Sequence, residues 1–125
     1  MPKVSRETAS DVAIVGPMET RAEDFGEYVV AFSTFHEAGD ATPLFKGLPD
    51  DRCQAAHWGY VFKGKVTFKY ADRDEVYEAG DAYYAPPGHV PVVEAGTEGV
   101  EFSTAAEYAE TLAVLEKNLA AMQDG

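Results

Sequence analysis

Residues 57–88 read HWGYVFKGKVTFKYADRDEVYEAGDAYYAPPG, and the punctuation of this stretch decides the fold. Lys63-Gly64-Lys65, Ala71–Asp74 and Ala79-Gly80-Asp81 are clusters of turn-forming residues, and Pro86-Pro87-Gly88 is a sharp corner. Between them lie His57–Phe62, Val66–Tyr70, Glu75–Glu78 and Ala82–Ala85, short runs rich in aromatic and β-branched residues. Turns at this close spacing predict an antiparallel sandwich or barrel, not βαβ units.

The flanks extend the pattern. Val12–Val15 is an edge strand stopped by Gly16-Pro17. Glu27–Phe35 is apolar on both faces, which predicts a strand covered on two sides. Val90–Glu94 and Gly99–Ser103 complete the set. Residues 39–52 hold two prolines and two glycines and read as a loop, anchored by Leu44, Phe45 and Leu48. Residues 1–11 are a weakly ordered lead-in. After residue 103 the period changes. Tyr108, Leu112, Leu115, Leu119 and Met122 recur at helical steps, behind a capping box of Thr104 and Glu107. The expectation is one domain over residues 1–125. It has an all-β antiparallel double-sheet barrel or jelly roll at about 12–103 and one C-terminal α-helix at about 105–122. The stripe offers more apolar surface than a small barrel needs to cover. Together with the edge strands it predicts a homodimer.

Charge narrows the partners. Twenty-two acidic residues against ten basic ones leave a net charge of −12 over 125 residues. The bases are scattered, so neither nucleic acid nor an anionic membrane is an expected partner. No apolar run approaches the roughly 20 residues of a membrane span. One cysteine, Cys53, cannot form an internal disulfide, which fits a reducing, cytoplasmic setting.

His57-Trp58-Gly59-Tyr60-Val61-Phe62-Lys63-Gly64 and Gly80-Asp81-Ala82-Tyr83-Tyr84-Ala85-Pro86-Pro87-Gly88 resemble the two motifs of the cupin superfamily. The resemblance covers roughly residues 26–103 and is strong over 53–94. It implies a small antiparallel double-sheet barrel with a metal site inside. The ligand positions depart from the family pattern. His57 stands where the family has a glutamate. Cys53 and Asp51 stand at the positions of two histidines, and Pro91 at that of a third, with His89 two residues before it. Residues two apart on a strand share a face, so His89 can still point inward.

Cys53, His57 and His89 are thus the candidate metal ligands. Thiolate with imidazole suits zinc best, with iron or nickel as alternatives. Asp51 and Glu101 are candidates for a fourth ligand. A straight strand would separate Cys53 from His57 by about 13 Å. Both reach one ion only if Gln54-Ala55-Ala56 bends. Tyr83, Tyr84 and Glu101 are the candidate cavity residues, and parity allows only one of the two tyrosines to face inward. Trp58, Tyr60 and Phe62 share the parity opposite to His57. They are expected on the other face, between sheets or under the helix. No phosphate-binding Gly-rich loop or nucleophile elbow is present. The expected function is a cupin that binds a divalent transition metal and a small molecule; whether it also acts as an enzyme on a small organic substrate is left open by the residues. The alternative is a metal-free effector-binding or structural cupin.

Overall fold

In the computed structural model, which describes residues 3–124, ten strands form two antiparallel sheets and a helix follows them. The strands are β1 (Asp11–Val15), β2 (Met18–Phe25), β3 (Tyr28–Phe35), β4 (Gly39–Asp40), β5 (His57–Lys63), β6 (Lys65–Lys69), β7 (Asp74–Glu78), β8 (Ala82–Ala85), β9 (Val90–Val93) and β10 (Thr97–Thr104). The helix α1 is Ala105–Asp124. One sheet runs β1-β2-β3-β10-β5-β8 and the other β4-β9-β6-β7. Their inner faces enclose the barrel interior. This is the predicted double-sheet jelly roll with one C-terminal helix.

The turns are where the glycines are. Gly64 alone joins β5 to β6 and has a left-handed φ of 79°, which a side chain would strain. Two strands were not anticipated. Strand β2 reads METRAEDF, with only small residues, Thr20 and Ala22, buried along it. It exists because β1 and β3 hydrogen-bond to its two edges. The two-residue strand β4 opens the 39–52 segment and pairs with β9.

Helix α1 starts directly from β10. The Glu107 backbone N–H donates to the Thr104 hydroxyl at 3.4 Å, and that hydroxyl donates to the Glu107 carboxylate at 2.8 Å. The stripe folds back onto its own barrel. Leu115 is buried with Val15, Phe45, Leu48, Cys53, Ala55 and Val90, and Leu112 and Leu119 pack against that cluster. A buried leucine contributes about 2 kcal/mol, so α1 is held mainly by this stripe. The Asn118 amide donates to the Leu44 and Lys46 carbonyls at 2.6 and 2.8 Å. The 42–48 segment is therefore tied to the helix, as its apolar anchors suggested.

The stripe on which the expected dimer rested is thus covered within the chain, apart from Met122, which is exposed. A second expectation is overturned by the outer face of the large sheet. Trp58, Tyr60 and Phe62 lie neither between sheets nor under the helix. They are 51%, 40% and 45% exposed. The helix closes one end of the barrel instead of covering that face, so their parity leaves them in solvent.

Candidate metal centre

The alternation of β5 turns His57 and Val61 inward, with Gly59 between them and Trp58 and Tyr60 outward. His57 is paired with Ala85 of β8. Cys53 lies ahead of the strand, and residues 54–56 leave strand geometry between the two. Main-chain bonds hold position 53 against the Pro-Pro-Gly corner. The Cys53 N–H donates to the His89 carbonyl at 2.9 Å, and the Gly88 N–H donates to the Cys53 carbonyl at 2.8 Å. The bend required by the sequence spacing is there, and Cys53 Sγ lies 3.7 Å from His57 Nε2. One ligand atom each from Cys53, His57 and His89 lies within 4.8 Å of the others, and all three residues are buried.

The hydrogen bonds assign the free nitrogens. His89 Nδ1 is 2.8 Å from the Pro86 carbonyl, which only accepts, so Nδ1 carries the hydrogen and Nε2 keeps its lone pair. His57 Nδ1 is 2.7 Å from the Ser103 hydroxyl and 3.6 Å from Glu101 Oε2. Its Nε2 faces Cys53. Such bonds at the far nitrogen orient ligating histidines. Zinc bonds of about 2.0–2.3 Å place tetrahedral ligand atoms about 3.3–3.8 Å apart. The donor set fits such an ion after a small contraction, and three protein ligands leave a fourth position open.

The thiol and the imidazole act on each other. Burial pushes the Cys53 thiol up, but hydrogen bonds and charge from His57 and His89 outweigh it and bring it down to about 6. Burial lowers His57, but Glu101 and Cys53 outweigh it and raise it to about 9. The pair is a thiolate beside an imidazolium, a form in which the sulfur is ready to ligate.

The triad lies on the wall of a cavity of about 110 Å³. Its walls are mostly apolar, from Phe35, Val61, Val66, Phe68 and Tyr83 in the sheets to Leu112 and Leu115 in the helix. Among the other sequence-selected residues, Tyr83 and Glu101 line it too. Tyr84 does not. It is 49% exposed on the outer face, where its ring lies 5.0 Å from that of Trp58. The pleat of β8 permits one tyrosine inside, and that one is Tyr83. Asp51 is exposed in a turn, where it accepts from the Gly47 N–H at 2.9 Å. It is no fourth ligand. Glu101, Gly59 and Tyr83 are neighbours across β10, β5 and β8. A Cβ on Gly59 would come within 2.5 Å of the Tyr83 ring and hydroxyl. The bare glycine lets the ring lie across it, and the phenol donates to Glu101 Oε1 at 2.8 Å. Burial and the Glu101 charge both hold that phenol protonated.

No family model matches the chain, and no curated protein matches it. Solved structures do. An RmlC-like cupin from Shewanella frigidimarina superposes with a TM-score of 0.59 at 16% identity, over 83% of this chain and 91% of that one. The fold is that of the cupins. The polyketide cyclase RemF from Streptomyces resistomycificus matches 95% of this chain and 98% of its own, with a TM-score of 0.58 at 15% identity. KdgF from a Halomonas species matches 76% and 86% with a TM-score of 0.54 at 18% identity.

On this cupin frame Pro91, at the usual third histidine position, lines the cavity beside His89, as their shared parity requires. Sequence reasoning missed Ser103 behind His57 and Thr111, whose hydroxyl is 3.5 Å from Cys53 Sγ. Ser103 shares parity with Glu101, and Thr111 lies one helical step after Tyr108. Those were the only signals available for them.

Proposed function

We propose that this cupin binds a divalent transition metal, zinc best, through Cys53, His57 and His89, and a small organic molecule in the cavity beside it. The observation that supports this is the convergence of three buried ligand atoms within 4.8 Å on the wall of an apolar cavity. When bound, the metal would polarise a carbonyl or hydroxyl oxygen as a Lewis acid. The chain's own residues do the rest. Ser103 orients His57 through Nδ1, and the Glu101 carboxylate lies 3.6 Å from the same nitrogen. Tyr83 fixes Glu101 at the mouth of the site, with one carboxylate oxygen left to hold or accept a proton. The apolar walls exclude water from the reacting centre. A free thiolate ligand belongs in a reducing compartment, so we place the protein in the cytoplasm.

Metal content and zinc titration of the pure protein test this. We expect about one equivalent bound at neutral pH. His57→Ala should lose at least a hundredfold in zinc affinity. His36→Ala should lose nothing, because His36 sits on the surface beside Glu19, outside the cavity. A wild-type protein that takes up neither zinc, iron nor nickel sinks the metal reading. One observation favours the second reading, a metal-free effector-binding cupin. The triad is already hydrogen-bonded within itself and to Ser103, Thr111 and Pro86, so it does not need an ion to be satisfied.

A further inference from the structure

The cavity walls specify the guest. Among the described residues that line it there is no lysine or arginine. Two carboxylates do line it, and they differ. Glu98 is neutralised by Arg6 at 2.8 Å and Lys63 at 3.4 Å. Glu101 has no lysine or arginine beside it; its charged neighbour is His57, which it shares with Cys53. Its Oε1 takes the Tyr83 hydroxyl, while its Oε2 lies 3.6 Å from His57 Nδ1, beyond hydrogen-bond reach. That oxygen is an open acceptor, reachable because the side chain is a quarter exposed.

Size and shape narrow the guest further. A water-sized group needs about 10–15 Å³ of such space, so 110 Å³ admits roughly eight to ten non-hydrogen atoms. The walls are aromatic and flat. Phe35, Phe68 and Tyr83 line it, and Phe68 meets Tyr83 edge-on at 5.8 Å. Among the described residues, the Thr20 hydroxyl is the buried side-chain polar atom without a hydrogen bond, and Thr20 lies on this wall, 3% exposed. That unfilled hydrogen-bond valence leaves a polar atom for a guest or a water to meet.

We propose that the cavity takes a small, neutral, flat molecule bearing a phenol-type hydroxyl, its ring against Phe68 and Tyr83 and its O–H donated to Glu101 Oε2. The proposal deepens the small-molecule half of the reading above and rests on it, but it does not need the metal. Phosphorylated and carboxylated guests are disfavoured, because they would bring an anion against two carboxylates in a lining that holds no lysine or arginine.

The test is calorimetric titration with three probes of similar size: 4-methylphenol, 4-methylcyclohexanol and 4-methylbenzoate. Each is run on chelator-treated protein and on protein loaded with zinc. We expect 4-methylphenol to bind at least tenfold tighter than either of the others in both states. Glu101→Gln, with thermal unfolding unchanged, should lose at least tenfold for 4-methylphenol. Equal or tighter binding of 4-methylbenzoate, or no binding of 4-methylphenol in either state, overturns the proposal. Protein that takes no zinc but still prefers the phenol supports the proposal while removing the metal reading. Protein that takes zinc but prefers the benzoate does the reverse.

Discussion

At the scale of single residues, the thiolate–imidazolium pair makes a prediction about pH. Between about pH 6 and 9 the Cys53–His57 pair holds one proton, on the imidazole, and below about 6 it holds two. A metal ion must displace whatever protons are present. Zinc affinity should therefore rise with pH, about tenfold per unit between 6 and 9 and about a hundredfold per unit below 6. Near pH 7.5 one proton should leave per zinc bound, measurable by calorimetry in buffers of different ionisation enthalpy. Affinity that stays flat from pH 6 to 9 would show that the pair is not ionised in this way. His57, His89 and Cys53 could be selected from sequence because they sit beside a glycine-closed strand and a Pro-Pro-Gly corner. Ser103 could not. A serine on a strand carries no sign of a partner 46 residues away.

The scale of the element shows what period-2 patterns can and cannot reveal. The strands from β5 to β8 were readable because large apolar residues alternate between strong turn signals. Strand β2 was not. Its inward positions Thr20 and Ala22 are too small to stand out against the charges of METRAEDF. The paired row of β10, β5 and β8 depends on an absence of side chain at its centre. Gly59→Ala would press a methyl within 2.5 Å of the Tyr83 ring and 2.6 Å of the Val100 carbonyl. The backbone oxygen cannot step aside as a flexible side chain would. We expect a loss of about 1–3 kcal/mol of stability, read by urea denaturation. Tyr83 should also be displaced from Glu101. An alanine variant as stable as the wild type would mean that the row has slack.

At the scale of the whole molecule, the outer face of the large sheet stands out. Tyr28, Trp58, Tyr60, Phe62, Tyr84 and Phe102 are all exposed. Phe102 and Tyr84 flank Trp58 across three adjacent strands. Six half-exposed aromatic side chains present roughly 600 Å², close to the ~800 Å² per partner of an ordinary stable interface. A solvated sheet face would normally carry polar residues. We propose that a second copy of this chain covers this face about a two-fold axis, in place of the helical stripe suggested by the sequence. Sedimentation should give a dimer, and Trp58→Glu with Phe102→Glu should give a folded monomer. A wild-type monomer at high concentration would leave the face without its partner.

The main-chain bridge between Cys53 and His89 has a consequence for how this protein can change. Both ends of that bridge are peptide groups, so position 53 is held against the corner whatever side chain it bears. Identity and placement of the ligand are therefore separable, and the donor atom can be exchanged without rebuilding the barrel. Cys53→His would turn a sulfur-containing set into three imidazoles, moving its preference from zinc toward iron or nickel. Competition titrations with these metals would register that shift. Unchanged selectivity would show that the sulfur had not been setting it. A site of this kind is a socket whose chemical taste can drift by single substitutions while the architecture around it stays constant.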